Sequence, residues 1–196
     1  GMDALTHAVE AYIGRSNTRE TERDAIEATR IIMQDLEAVY ADGNDVVRRG
    51  NMLKAAYLAG KAFTRAYVGY VHAIAHTLGG FYGVPHGLAN SVILPHMLTY
   101  FGPSVEKRLA GLARKSGAVA SDLDDASAAK AFITRIRAMN KNMAIPETIS
   151  GIKPEDIPLM VERAFSEANP LYPVPRILDR RELTEVFGVI SARSKA

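Results

Sequence analysis

The chain has 196 residues, of which 47% are hydrophobic and 23% are charged, so it has the composition of a globular protein and not of a disordered one. Its 24 basic and 22 acidic residues are scattered and leave a formal net charge of +2, which argues against nucleic acid as a partner. The absence of cysteine excludes disulfides, thiolate metal ligands and a thiol nucleophile, and no apolar run approaches the ~20 residues of a membrane span.

Helical periodicity recurs along the sequence, whereas alternating strand patterns of useful length are missing. A short helix is predicted over residues 3–14. A longer helix follows an apolar stripe that starts at Ala25 and stops at the turn Asp42-Gly43-Asn44. The next predicted helix, 45–66, carries small residues that would let another helix approach closely, so we expect it in the middle of a bundle: Ala55, Ala56, Ala59 and Gly60.

The middle of the chain predicts three more helices. Two of them, 71–80 and 87–101, flank a Gly- and Pro-rich bend at 79–85, and a third starts at Gly102-Pro103-Ser104 and reaches residue 115. Within the bend, the glycines do not have the GxGxxG spacing, and no strand precedes them. The sequence therefore predicts no residue that binds a nucleotide cofactor.

The last third predicts further helices. Acidic residues at 122–125 precede an apolar stripe, and 153–156 places a proline where a first helical turn tolerates it. Asp179 and Glu182 have the spacing of a capping box, while the proline-rich segment 169–175 is predicted to be extended.

These elements together predict one all-α domain over residues 1–196, built as a single helical bundle. Residues 1–117 form its core half, and residues 118–196 contribute the C-terminal helices. The candidate functional residues lie in the core half.

Four of the five histidines and one aspartate have a spacing that suits a metal site. Asp3 and His7 are four residues apart, as are His72 and His76, so each pair projects from one face of a helix. His86 follows the Gly- and Pro-rich bend, which can fold the chain back. One carboxylate with imidazoles suits Fe(II), Zn, Mn or Ni and leaves an open position for a substrate oxygen. We therefore predict Asp3, His7, His72 and His86 as the ligands of a divalent metal.

Other interpretations stay open from the residues alone, because an isolated histidine on an apolar helix face is usually a hydrogen-bonded core residue. The segment from His72 to His76 lacks the glutamate of the HExxH helix, which argues against peptide hydrolysis. Hydrolysis by a metal-bound water lacks an evident base, since we expect Glu10 to be exposed or hydrogen-bonded. His96, which follows a proline, is expected to be structural.

Several stretches resemble the iron-containing (group III, metal-dependent) alcohol dehydrogenases. Two of them look like family signatures and are continued by shorter matches: Gly1–Ala11, Gly69–Gly87, Asn90, Leu94–His96 and Asn169–Pro173. The resemblance covers essentially the whole chain. It implies the helical, dehydroquinate synthase-like C-terminal domain of that family, without the N-terminal α/β domain that binds the nucleotide.

The resemblance also implies roles for the histidines. The family's metal ligands fall on the positions of Asp3, His7, His72 and His86, in agreement with the spacing. His76 falls near the metal and the nicotinamide, so a catalytic role in proton relay or substrate positioning is expected for it. A role as an alternative ligand, one turn from His72, remains open. Fe(II) is the favoured ion and Zn the alternative, and NAD(P) is implied for the complete enzyme.

The implied reaction is reversible hydride transfer between a small alcohol or aldehyde and NAD(P). We expect this chain to be the metal- and substrate-binding half, and to bind metal but turn over alcohol poorly or not at all by itself. Its expected partners are a nucleotide-binding domain or further copies of the chain in a homo-oligomer, and its expected location is cytoplasmic. The alternative is a non-catalytic helical module for metal binding or assembly.

Overall fold

The computed structural model describes residues 1–191, which are mostly helical. Within this range the chain forms nine α-helices, which follow one another as α1 Met2–Ile13, α2 Arg19–Ala41, α3 Val46–Ala66, α4 Tyr70–Tyr82, α5 His86–Phe101, α6 Pro103–Lys115, α7 Asp125–Asn142, α8 Ile157–Ala168 and α9 Arg180–Ile190. A short 3-10 turn, Pro154–Asp156, precedes α8. The described residues contain no β-strand beyond one isolated bridge, so the all-α prediction is confirmed.

Local signals in the sequence set where several helices begin and end. The Asp179 side chain accepts a hydrogen bond from the backbone N–H of Glu182, and the Glu182 side chain accepts one from the backbone N–H of Asp179, which is the predicted capping box at the start of α9. Gly83 adopts a left-handed conformation at the end of α4, with φ of 64°. Since α5 begins three residues later, this tight turn returns the chain beside α4 and brings His86 towards His72.

The first helix lies at the centre of the bundle. Ten of the twelve residues of α1 are buried, and the helix contacts α2, α3, α5 and α6. A helix surrounded in this way must be apolar on most of its surface. Any polar side chain on α1 is therefore either satisfied internally or directed into a site.

The prediction that the 45–66 helix lies in the middle of the bundle is wrong. Ala55 and Ala59 of α3 are fully buried against its neighbours, but Leu53 and Tyr57 on its other side are 75% and 70% exposed. Ala55 and Ala59 serve close packing on one side of α3, against α1 and α2, whereas Ala56 is exposed. Small side chains at helical spacing indicate close approach but not the number of neighbours.

The proline-rich segment is not helical, as predicted, but its first residues form turns, with the backbone N–H of Tyr172 donating to Ala168 O at 2.8 Å, so the prediction of an extended path is wrong there. The segment packs against the first half of the chain. Pro173 accepts a hydrogen bond of 2.8 Å from the backbone N–H of Arg15. Tyr70, at the start of α4, donates to Asn169 Oδ1 at 3.1 Å and accepts from the backbone N–H of Leu178 at 3.0 Å. These contacts hold the end of α8 beside α4. In residues 1–191 no helix has the length and apolar character needed to cross a bilayer.

The burial of core side chains predicts how their truncation changes the free energy of unfolding. Leu109 of α6 is fully buried, so Leu109→Ala removes buried methyl groups and leaves a cavity, and we expect it to lower the free energy of unfolding by about 2–5 kcal/mol. Leu159→Ala on α8, where the side chain is 51% exposed, should change it by less than about 0.5 kcal/mol. Urea titration followed by circular dichroism measures both, and equal effects would contradict this packing.

Candidate metal centre

Four side chains from three helices converge at one end of α1. Asp3 and His7 come from α1, His72 comes from α4, and His86 is the first residue of α5. One potential ligand atom of each lies within 4.8 Å of the others. Asp3 Oδ1 is 3.4 Å from His86 Nε2 and 3.9 Å from His72 Nε2, and Asp3 Oδ2 is 3.9 Å from His7 Nδ1. The structure thus brings together the four side chains that the sequence predicts as ligands.

The arrangement fits a divalent ion. Donor atoms about 2.1 Å from a common ion in a tetrahedral geometry lie roughly 3.4 Å apart, close to the shortest separations here. His72 Nε2 is buried and has no hydrogen-bond partner among the described residues. A buried imidazole nitrogen without a partner is costly, whereas a metal ligand at that position satisfies it. The donor set and the unpaired His72 Nε2 therefore both favour a metal ion at this point.

Glu10 holds the other side of the His72 ring. Its carboxylate is buried in α1, with Oε2 2.6 Å from His72 Nδ1. The same carboxylate accepts the backbone N–H groups of Gly69 and Val71, each at 2.9 Å. Because His72 Nδ1–H donates to Glu10, the Nε2 lone pair faces the cluster, which is the tautomer that a ligand needs.

The close approach of Glu10 depends on a glycine. A Cβ on Gly69 would lie only 2.7 Å from Glu10 Oε1, so a side chain at this position would displace the carboxylate. Sequence spacing places Glu10 one turn after His7 but does not predict its partner, which lies 62 residues away. Of the two roles expected for Glu10, the hydrogen-bonded one is observed and exposure is not.

Asn90 holds the carboxylate of Asp3. It is fully buried on α5, and its Nδ2 donates to Asp3 Oδ1 at 2.6 Å while lying 3.0 Å from His86 Nε2. Burial alone would raise the pKa of Asp3, but the Asn90 hydrogen bond and the nearby histidines lower it below its usual value. Asp3 is therefore ionised at neutral pH, and Asn90 is a positioning residue that spacing alone does not single out.

Two histidines of the cluster, His7 and His86, are kept neutral at pH 7. Burial lowers the pKa of His7 to about 4, and its ring stacks between Phe63 and His72 at centroid distances of 4.1 and 4.4 Å. Partial burial likewise lowers the pKa of His86. Neutral imidazole is the form that binds a metal, so protons do not compete for these two side chains at pH 7.

His76 lies beside the cluster with a partner of its own. Its ring stacks on that of His86 with centroids 5.2 Å apart, and its Nδ1 is 2.7 Å from Glu167 Oε1. Tyr172 donates to the same oxygen at 2.8 Å. The hydrogen bond with Glu167 raises the pKa of His76, in contrast to those of His7 and His86. Glu167 is 91 residues away in sequence, and no spacing rule predicts this contact.

His96 has a different environment. Its Nε2 donates to the carbonyl oxygen of Glu147 at 2.9 Å, in the loop after α7. This contact agrees with the structural role expected for it. His96 therefore serves as a control for the other histidines.

Comparisons with known proteins agree with one another. The profile described as Fe-containing alcohol dehydrogenase family, C-terminal, matches residues 1–190. The chain is 40% identical to 1,3-propanediol dehydrogenase of Citrobacter freundii over 189 residues, covering 95% of this chain and 49% of that one. It is 39% identical to NAD-dependent methanol dehydrogenase of Bacillus methanolicus over 169 residues, covering 85% and 44%.

The similarity extends to solved structures. Alcohol dehydrogenase from Oenococcus oeni superposes with a TM-score of 0.89 at 34% identity, covering 96% of this chain and 50% of that one. The chain thus spans about half the length of the curated relatives it matches.

The contact between His76 and Glu167 predicts a pH effect. Glu167→Gln should lower the pKa of His76, since it removes the carboxylate that stabilises the imidazolium. The stability that this pair contributes is present below the unfolded pKa of histidine and is lost as the pH rises through the raised folded pKa. NMR titration of the metal-free chain measures the His76 pKa. Glu162→Gln on the same helix should leave it unchanged, and an unaltered His76 pKa in Glu167→Gln would refute the assignment.

Proposed function

The chain belongs to the Fe-containing alcohol dehydrogenase family, and we propose that it is the metal- and substrate-binding half of an NAD(P)-linked alcohol dehydrogenase or aldehyde reductase. The observation that carries this proposal is the convergence of Asp3, His7, His72 and His86 on one point. The two relatives named above are dehydrogenases of 1,3-propanediol and of methanol, and the second is NAD-dependent by name. The proposed substrate is accordingly a small alcohol or aldehyde.

In this proposal Asp3, His7, His72 and His86 hold a divalent ion, with Fe(II) favoured and Zn(II) the alternative. When bound, such an ion supplies a Lewis acid for the oxygen of the alcohol or aldehyde. Asp3 is the one anionic ligand, so the set leaves about one net positive charge at the site. That charge favours an alkoxide over a neutral alcohol.

Two further residues keep the ligands in place. Glu10 holds the Nδ1–H of His72, and Asn90 holds one oxygen of Asp3. Both contacts exist before any ion binds, so the ligand set requires little rearrangement. Partners of this kind raise metal affinity typically 10–100-fold.

We assign the transfer of a proton to His76. Oxidation of an alcohol to an aldehyde releases one proton in addition to the hydride. With Nδ1–H donating to Glu167, Nε2 of His76 is the nitrogen free to take up that proton. The side chain is 44% exposed, so His76 can pass the proton on to water. Its raised pKa makes it a better base than His7 or His86.

We assign no nicotinamide-binding residue to this chain. Hydride transfer requires the nicotinamide to be aligned with the substrate carbon, so we propose that a nucleotide-binding domain supplies this part of the reaction. The alternative function is a non-catalytic module for metal binding or assembly. The exposed apolar side chains of α3 favour it, because such a surface promotes self-association: Val46, Val47 and Leu53.

Metal affinity tests the proposed ligand set. We expect isothermal titration with Zn(II) to show that His72→Ala loses at least about 100-fold in affinity and Glu10→Gln about 10–100-fold. His96→Ala removes a histidine outside the cluster and should bind as the unaltered chain does. Circular dichroism establishes that each variant is folded. Equal metal affinity in the chain and in His72→Ala would remove His72 from the ligand set.

Turnover separates the two functions. The purified chain loaded with Fe(II) or Zn(II) should reduce NAD⁺ with ethanol or 1,3-propanediol poorly or not at all, because nothing in it is assigned to align the nicotinamide. Activity should appear when a nucleotide-binding domain of the family is supplied, and His76→Ala should lower it without loss of metal. Metal binding without activity in that reconstituted sample would favour the non-catalytic module. Ordinary dehydrogenase rates from the chain alone would contradict the expectation.

A further inference from the structure

A groove between α7 and the pair α5–α6 lies outside the metal centre. It has a cavity volume of about 430 Å³, within the range of small-molecule sites, and none of its lining residues belongs to the ligand cluster. Most of its wall is apolar and comes from three helices: Leu98, Val105, Leu109, Ala129 and Ile133. The groove can therefore take up hydrocarbon.

One face of α7 sets the length of the groove. The lining residues of this helix run from Ala126 to Arg137, which is about 16 Å at a rise of 1.5 Å per residue. Ala126 marks the end near the N-terminus of α7, and Arg137 marks the other end. The site is thus elongated, with Arg137 at one end and Lys130 about one helical turn from the other.

The guanidinium of Arg137 is poorly satisfied. Its Nη2 makes two long contacts, 3.3 Å to Thr99 Oγ1 and 3.4 Å to the carbonyl oxygen of Pro95. No acidic side chain among residues 1–191 forms an ion pair with it. A guanidinium carries five N–H donors, so most of those of Arg137 are available to a ligand. Two neighbouring cavities of about 350 and 420 Å³ also border Arg137, which keeps it accessible.

The remaining charges of the groove select a monoanion. Lys130 of α7 adds a second positive charge, and Glu106 of α6 opposes it, so the lining carries a net charge of +1. Neither side chain forms an ion pair within the described part of the chain. A single carboxylate matches this balance, whereas a dianionic phosphate would meet Glu106 at greater cost.

We infer that this groove binds an amphipathic aliphatic carboxylate, with its carboxylate on Arg137 and its hydrocarbon tail along α7 towards Ala126. The planar guanidinium matches a carboxylate through two parallel hydrogen bonds. The apolar wall takes the tail out of water. Both parts of the ligand are needed. The guanidinium of Arg137 is accessible to water, so a carboxylate without a tail gains little from it. The apolar wall by itself does not distinguish an acid from an alcohol.

Three probes that carry a charge, a tail or both test this inference by isothermal titration on the purified chain. Octanoate should bind saturably with one site. Octanol has the same tail without the charge and should bind at least about tenfold more weakly, as should acetate, which has the charge without the tail. Equal affinity for octanoate and octanol, or no saturable binding of octanoate, overturns the inference.

Four variants locate the octanoate. Arg137→Gln should weaken its binding at least about tenfold, and Ala126→Phe, which fills the far end of the groove, should do the same while leaving Arg137 intact. Arg49→Gln, an exposed arginine on α3, and His72→Ala, which disables the metal centre, should leave the affinity unchanged. A loss of binding in His72→Ala would place octanoate at the metal centre instead.

A second copy of the chain is the competing occupant of the groove. Sedimentation velocity distinguishes a small ligand from a second copy. If the groove binds a small ligand, Arg137→Gln and Ala126→Phe should leave the molecular mass unchanged. Dissociation of an oligomer by Ala126→Phe, without binding of octanoate to the unaltered chain, overturns the inference in favour of self-association.

Discussion

The buried carboxylate of Glu10 is the contact on which the candidate metal centre depends. It joins the central helix α1 to the start of α4 by accepting two backbone N–H groups and the Nδ1–H of His72. Burying a carboxylate without such donors would cost free energy. Burying these N–H groups without an acceptor would cost free energy as well. The same contact fixes the position of α4 and the orientation of His72, the proposed ligand on α4. Gly69 makes it possible, because any side chain there would collide with the carboxylate.

The centre combines a rigid inner side with an open outer side. Asp3 and His7 stand on a helix that is buried along most of its length, and His72 is itself buried. His86 and His76 lie at the exposed edge, with 42% and 44% of their side chains accessible. A small molecule can approach from that edge without disturbing the bundle. Burial lowers the pKa values of His7 on the inner side and of His86 at the edge, whereas Glu167 raises the pKa of His76.

The two candidate sites differ in their chemistry because they differ in charge. At the candidate metal centre, one carboxylate lies among three imidazoles, a donor set that attracts a cation. In the groove beside α7, a guanidinium that lacks a carboxylate partner in the described chain faces an apolar wall, which attracts an amphipathic anion. The two sites share no residue, so a variant of one can serve as a control for the other.

The sequence by itself determined the features that depend on neighbours within a turn or two. The helix start at Asp179, the bend at Gly83 and the pairing of Asp3 with His7 on one face all follow from short spacings. The resemblance to the iron-containing alcohol dehydrogenases was likewise visible in two short stretches, and the match over residues 1–190 confirms it.

Only the tertiary structure decided which faces meet. The small residues of α3 are compatible with one neighbour or several, and the packing of α1 placed α3 at the edge. The partners of His72 and His76 lie 62 and 91 residues away, and the groove at Arg137 joins three helices. Contacts of this kind are selected by how all the apolar faces are buried together, and no local spacing carries that information.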